Sequence, residues 1–212
     1  MEVFRITLPA LVLLAGLAIT DAQAQTLPKI DEFYFDNDSA AQPLLAVPGD
    51  AADAVEQLMK LRERGRKAVE ATTQLASLAI AQGRVDLGKS LYQEALAATQ
   101  VSAVQGRAVR WNHAWDLYRL GETEAALGEW MSLQAASRGN PGWVPPTYAL
   151  VLWTLGRRDE AVRWYAAAVR TEPQQWSDPD NYLQLLPHWR EQDRATLAEV
   201  HRAWSGSPPV WP

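Results

Sequence analysis

Leu155-Gly156-Arg157-Arg158-Asp159-Glu160-Ala161-Val162-Arg163-Trp164-Tyr165-Ala166-Ala167-Ala168-Val169 is the stretch that decides the fold. An apolar run ends at Leu155, and Gly156 follows it, where a left-handed backbone angle costs glycine nothing. Asp159 and Glu160 then stand in what would be the first turn of a new helix, where negative charge suits the helix dipole. Ala161, Tyr165 and Ala168 recur at spacings of four and three, the signature of one helical face. The segment therefore reads as the end of one helix, a tight turn and the start of a second helix.

Outward from this stretch the same grid appears twice more. Ala149, Gly156, Ala161, Tyr165 and Ala168 match Ala114, Gly121, Ala126, Trp130 and Leu133, and again Ala76, Gly83, Gly88, Tyr92 and Ala95. The turn glycines recur 38 (121 − 83) and then 35 (156 − 121) residues apart. Asp86 and Glu124 repeat the acidic first turn of Asp159. Paired small residues let two antiparallel helices approach closely, and the aromatic fills the wedge above that contact. A hairpin of this kind cannot bury its face alone; stacked neighbours bury it.

This grid resembles the tetratricopeptide repeat, a helix–turn–helix unit of about 34 residues. The third copy, closing on Glu172-Pro173, is the best match, and Trp111 to Ser137 is a good second. The first departs from the pattern at Gly88, and the family's early Trp is replaced by Thr72, Arg110 and Pro145. Pro145-Pro146 fit only the opening of a helix. The resemblance implies an all-α, right-handed solenoid of three hairpins, at about 69–102, 107–140 and 142–175, between N- and C-terminal capping helices. Helices are expected near 51–64, 68–82, 85–98, 107–120, 123–137, 145–155, 158–171 and 190–204, with no sheet.

The resemblance also implies an inner groove, lined by the first helix of each unit, that holds extended peptides or a partner's helix. On this chain the groove takes Thr73, Ser77 and Ile80 from the first unit. The second gives Trp111, Asn112, Trp115, Tyr118 and Arg119, and the third gives Trp143, Thr147, Leu150 and Trp153. Five aromatics with one Asn and one Arg offer stacking area and a few orienting polar groups. The alternative is that several of these Trp are wedged between units or covered by the N-terminal arm. The family's two-carboxylate clamp needs several Lys, Arg and Asn, and only Asn112 and Arg119 are present.

The flanks read differently. Residues 25–50 form an irregular arm, broken by Pro28, Pro43 and Pro48, with Phe33-Tyr34-Phe35 placed to pack onto the helical body or to be offered to a partner. The helical domain spans 51–204. A short helix opens at Ser177-Asp178-Pro179 and Pro187 interrupts it. In the last helix, Glu191, Asp193, Arg194, Glu199 and Arg202 suit a polar outer face, while Leu197, Val200 and Trp204 face inward. The tail 205–212 is loose and carries Trp211.

Residues 1–24 have the order of an export signal: Arg5, the apolar run Leu11 to Ile19, then Ala22-Gln23-Ala24 before Gln25. That run is too short for a comfortable span, so no stable membrane span is expected after cleavage. The chain has no Cys, which excludes a lipoprotein anchor, disulfides and thiolate chemistry. A formal charge of -5 argues against a general grip on nucleic acid. The three His, at 113, 188 and 201, form no ligand pair, and no nucleophile or phosphate-binding motif occurs. His113 reads as an interior residue. Ten Trp against three Phe point instead to packing wedges or an aromatic surface. The expectation is a non-enzymatic periplasmic scaffold or adaptor, without cofactor or metal, binding a protein or peptide of a cell-envelope complex. A glycan-binding module is the alternative.

Overall fold

A computed structural model describes residues 25–48, 53–99 and 103–210. The export segment 1–24 and Trp211 lie outside these residues. In chain order the helices are α1 (Ala54–Arg64), α2 (Ala68–Ala81), α3 (Val85–Ala98), α4 (Ala103–Arg119), α5 (Thr123–Ala136), α6 (Val144–Thr154) and α7 (Arg158–Thr171). There follow α8 (Pro173–Trp176), a 3-10 turn at Pro179–Asn181, α9 (Tyr182–Leu185) and α10 (Glu191–Gly206). Among the described residues there is no strand, only an isolated bridge between Asp36 and Pro141. The chain is all-helical.

Three hairpins, α2/α3, α4/α5 and α6/α7, form the body, and their turns close identically. Gly83, Gly121 and Gly156 hold φ of 78, 81 and 76°. In each turn the residue after the glycine donates its N–H to the carbonyl five residues back: Arg84 to Ala79, Glu122 to Leu117 and Arg157 to Leu152. This satisfies carbonyls that a helix end leaves open. Pro145 and Pro146 lie in the first turn of α6, where no intrahelical N–H is required of them.

The close contacts within the hairpins fall at the small residues. Ala76, Ala114, Ala126, Ala149 and Ala161 are fully buried, as are the wedge aromatics Tyr92, Trp130 and Tyr165. Gly88 replaces alanine for a visible reason. A Cβ there would stand 2.4 Å from Ile80 Cγ1 and 2.9 Å from the Ala76 carbonyl oxygen. Ile80, expected in the groove, thus lies between α2 and α3. Thr73 is buried too, its hydroxyl turned back on the Val69 carbonyl.

Two apolar cores result. The first, around α1–α3, is built mainly of Ala and Leu with Tyr92 at its centre. The second runs from α4 to α10 and holds most of the Trp. α10 packs on α6 and α7 through Leu197 and Val200, both fully buried. Asp193 corrects the expected outer face, since it is 1% exposed. Its carboxylate turns back to accept from the Arg190 backbone N–H and guanidinium, capping the helix start. α10 also runs two residues past the expected end, into the tail.

The arm is irregular but anchored. Tyr34 is buried against Trp164, while Phe33 and Phe35 stack on each other and stay exposed. Asp38 pairs with Arg107 and accepts from the Trp143 indole N–H at 3.2 Å. The arm then crosses α4 and α2, where the functional candidates lie.

Candidate functional site

One position explains how the arm crosses. Nine residues before each turn glycine stand Gln74, Asn112 and Thr147, equivalent points of α2, α4 and α6. Gln74 Oε1 accepts from the Ala46 and Val47 N–H groups, at 2.9 and 3.2 Å, and its Nε2 donates to the Val47 carbonyl at 2.9 Å. Asn112 repeats the grip: Oδ1 accepts from the Leu44 N–H and Nδ2 donates to the Gln42 carbonyl, both at 3.1 Å. Two amides on successive hairpins therefore hold the backbone of residues 42–47, and they read it without regard to side chains. Thr147 breaks the series. Its hydroxyl is buried and has no partner.

At that third position a cavity of about 320 Å³ opens. Of the twelve expected groove residues, Ser77, Trp111, Asn112, Trp115, Arg119, Trp143 and Thr147 line it. On α4, Trp111, Trp115 and Arg119 follow four-residue spacing and so share one face. Tyr118, Leu150 and Trp153 are elsewhere. Tyr118 reaches the Thr154 hydroxyl at 2.9 Å, and Leu150 is fully buried in the core. Trp153 donates to Glu199 on α10 while the Arg158 guanidinium covers its ring at 3.7 Å. Their helical phase points them at neighbouring helices rather than at the cavity.

Trp111 and Trp115 are only 7% exposed each, because other residues close over them. Trp189 meets Trp115 edge to face at 4.9 Å, and Trp143 meets Trp111 at 5.0 Å. Trp176, Leu186 and His188 complete that wall, and Ala41 and Pro43 of the arm form the opposite lip. The covering segment is fastened by Tyr165, whose hydroxyl donates to the Trp176 carbonyl and accepts from Tyr182. None of 176–189 carries a repeat signature, so only the surplus of Trp hinted at its part. Gln74 was equally hidden; the grid alone places it opposite Asn112.

Below the cavity lies a polar network. Asp116, 4% exposed, accepts from Ser77 at 2.6 Å and from Tyr92 at 2.5 Å, and pairs with Arg119 at 3.2 Å. Ser77 and Tyr92 are also 2.7 Å apart, but each hydroxyl has a single hydrogen. With both given to Asp116, no hydrogen lies between them. Burial first, then the Asp116 charge, holds Tyr92 protonated well above its ordinary 10. Asp116 thereby fixes Arg119, half-exposed, beside the Trp115 ring. His113 packs on the Tyr92 ring at 4.6 Å and faces Glu129 at 3.5 Å, outside the cavity. Among the described residues no three His, Asp or Glu side chains gather as a metal would require. No family model, curated protein or solved structure matches the chain.

Proposed function

We propose that the chain is a tetratricopeptide-type right-handed solenoid, exported to the periplasm, that serves as an adaptor for another protein of the cell envelope. It would hold an extended segment of that partner on the face made by α2, α4 and α6. The observation that carries this reading is the paired grip of Gln74 and Asn112 on the irregular backbone of residues 42–47, with an open, Trp-walled continuation at Thr147. Side-chain amides satisfy both a carbonyl and an N–H of a segment that lies outside any helix or sheet. Such a device suits polypeptide and has no use for phosphate or metal chemistry.

The Trp walls also favour a second reading, a module that stacks sugar rings. Photo-crosslinking separates the two. A crosslinker at Arg119, exposed at the mouth, should trap a discrete polypeptide from envelope extract, and Trp115→Phe should reduce the yield. Polysaccharide on the crosslinked chain, with no polypeptide, would replace the adaptor by the glycan module. Export is checked separately: the processed chain should begin at Gln25 and appear in the periplasmic fraction.

A further inference from the structure

Four Trp that line the cavity carry hydrogen-bond donors that nothing in the protein uses. The indole N–H groups of Trp111, Trp115, Trp176 and Trp189 have no acceptor among the described residues, and none belongs to the sealed, unpartnered polar atoms. They are left to solvent or a ligand. Thr147 lies in the same wall, its unpartnered hydroxyl sealed from solvent. The carboxylate of Asp116 is by contrast already met by three donors, and Arg119 balances its charge. A guest therefore meets flat apolar faces and spare N–H groups, with no net charge to answer.

Its complement is a guest with flat apolar faces, free carbonyls and few N–H groups of its own. A polyproline II segment is such a guest. Proline has no backbone N–H, and this helix makes no internal hydrogen bonds, so its carbonyls stay open. It is also preformed, so little ordering is lost on docking to aromatic walls. A sugar fits less well, because every hydroxyl brings a hydrogen that needs an acceptor.

The chain itself supplies a precedent at the rim. Pro43 lines the cavity, and the residues on either side of it, Gln42 and Leu44, are the ones Asn112 grips. Pro146 and Pro187 line it too. The volume is near the lower end for ligand pockets, suited to a short stretch of chain.

We infer that this cavity reads a proline-containing segment of a partner protein in polyproline II form, continuing the path of Gln42–Leu44. The inference rests on the face being a polypeptide-binding one. The test is a titration of the full chain, with ¹⁵N-labelled Trp, by acetyl-hexaproline amide, read at the indole N–H resonances. Trp111, Trp115, Trp176 and Trp189 should shift together, while Trp153 and Trp164 stay in place. Trp115→Phe, which keeps an aromatic ring and removes one spare N–H, should weaken binding roughly fivefold, the equivalent of one neutral hydrogen bond. Raising the ionic strength should leave it unchanged.

An alanine-based peptide of equal length that shifts the same indoles as strongly would overturn the proline reading and leave the adaptor intact. Shifts caused by cellotriose, with neither peptide active, would overturn both. Loss of hexaproline binding as the ionic strength rises would show recognition led by charge, and silence of all the indoles would empty the cavity of this role.

Discussion

Gln74 and Thr147 occupy the same point of the first and third hairpins, yet one is saturated and the other has no partner. Gln74 lies under the arm, 5% exposed, with its amide satisfied by Ala46 and Val47. Thr147 is equally buried, but the arm has left the groove before reaching it and a segment from the other end of the chain closes over the space. The repeat dictates the scaffold, identical in turn and close contact. What lies on that scaffold depends on parts of the sequence that do not repeat. The hairpins differ in what they carry, while their likeness is taken up by packing.

The largest effect should come from Gln74→Ala. It strips partners from two N–H groups and one carbonyl held in buried surroundings, at a cost of roughly 3 kcal/mol. For a chain of this size that lowers the melting temperature by about 6–12 °C. Asn112→Ala removes a similar grip from a half-buried site where water can replace it, and should cost only about 1 kcal/mol. Equal costs at the two positions would mean that the arm is not seated more deeply at the first hairpin than at the second.

The close contacts sharpen the same comparison at a smaller scale. Ala126→Leu and Ala161→Leu should each cost about 2 kcal/mol by overpacking. At the matching Gly88 even alanine should be felt, by about 1 kcal/mol, since its Cβ meets a backbone oxygen as well as the buried Ile80 side chain. If Gly88→Ala melts higher than the parent, the gain in helix propensity outweighs the contact, and the first hairpin is looser than the others.

The hairpins were legible because their signals are local. A turn glycine, an acid four residues or fewer beyond it and a small–aromatic–small face each follow from a few adjacent residues. The helices at 85–98 and 158–171 match the expectation to the residue, while α4 starts earlier and α10 ends later. The site was half legible. Helical phase identified Trp111, Trp115 and Arg119 but mistook Tyr118, Leu150 and Trp153, because the face of a helix that looks into a groove and the face that meets the next helix differ by only a fraction of a turn. Trp176, Trp189 and the grip on the arm depend on contacts across 27 to 70 residues of sequence or more. No local pattern encodes those.

The arm is also fastened at its far end, and there the smallest effect is expected. Arg157, just past the third turn, donates to the Gln25 carbonyl at 3.1 Å while its other nitrogens grip Glu160 at 2.5 and 2.8 Å. That grip, chiefly, holds the Glu160 carboxyl below its ordinary 4.5, against a smaller upward push from burial. A depressed carboxylate contributes stability that is present above 4.5 and lost as the pH falls through the lower folded value. The pair is partly open to water, so the contribution is under about 1 kcal/mol. Acid should therefore loosen the beginning of the arm at Gln25 before it disturbs Gln74, whose neutral amide does not titrate. Amide chemical shifts followed from pH 6 to pH 3.5 should show residues 26–30 moving towards unfolded values while the Ala46 and Val47 N–H groups hold theirs. Glu160→Gln should loosen the same residues already at pH 6 and flatten the change between the two. Simultaneous release of both ends would make the arm one cooperative unit and remove the distinction between a seated segment and a fastened one.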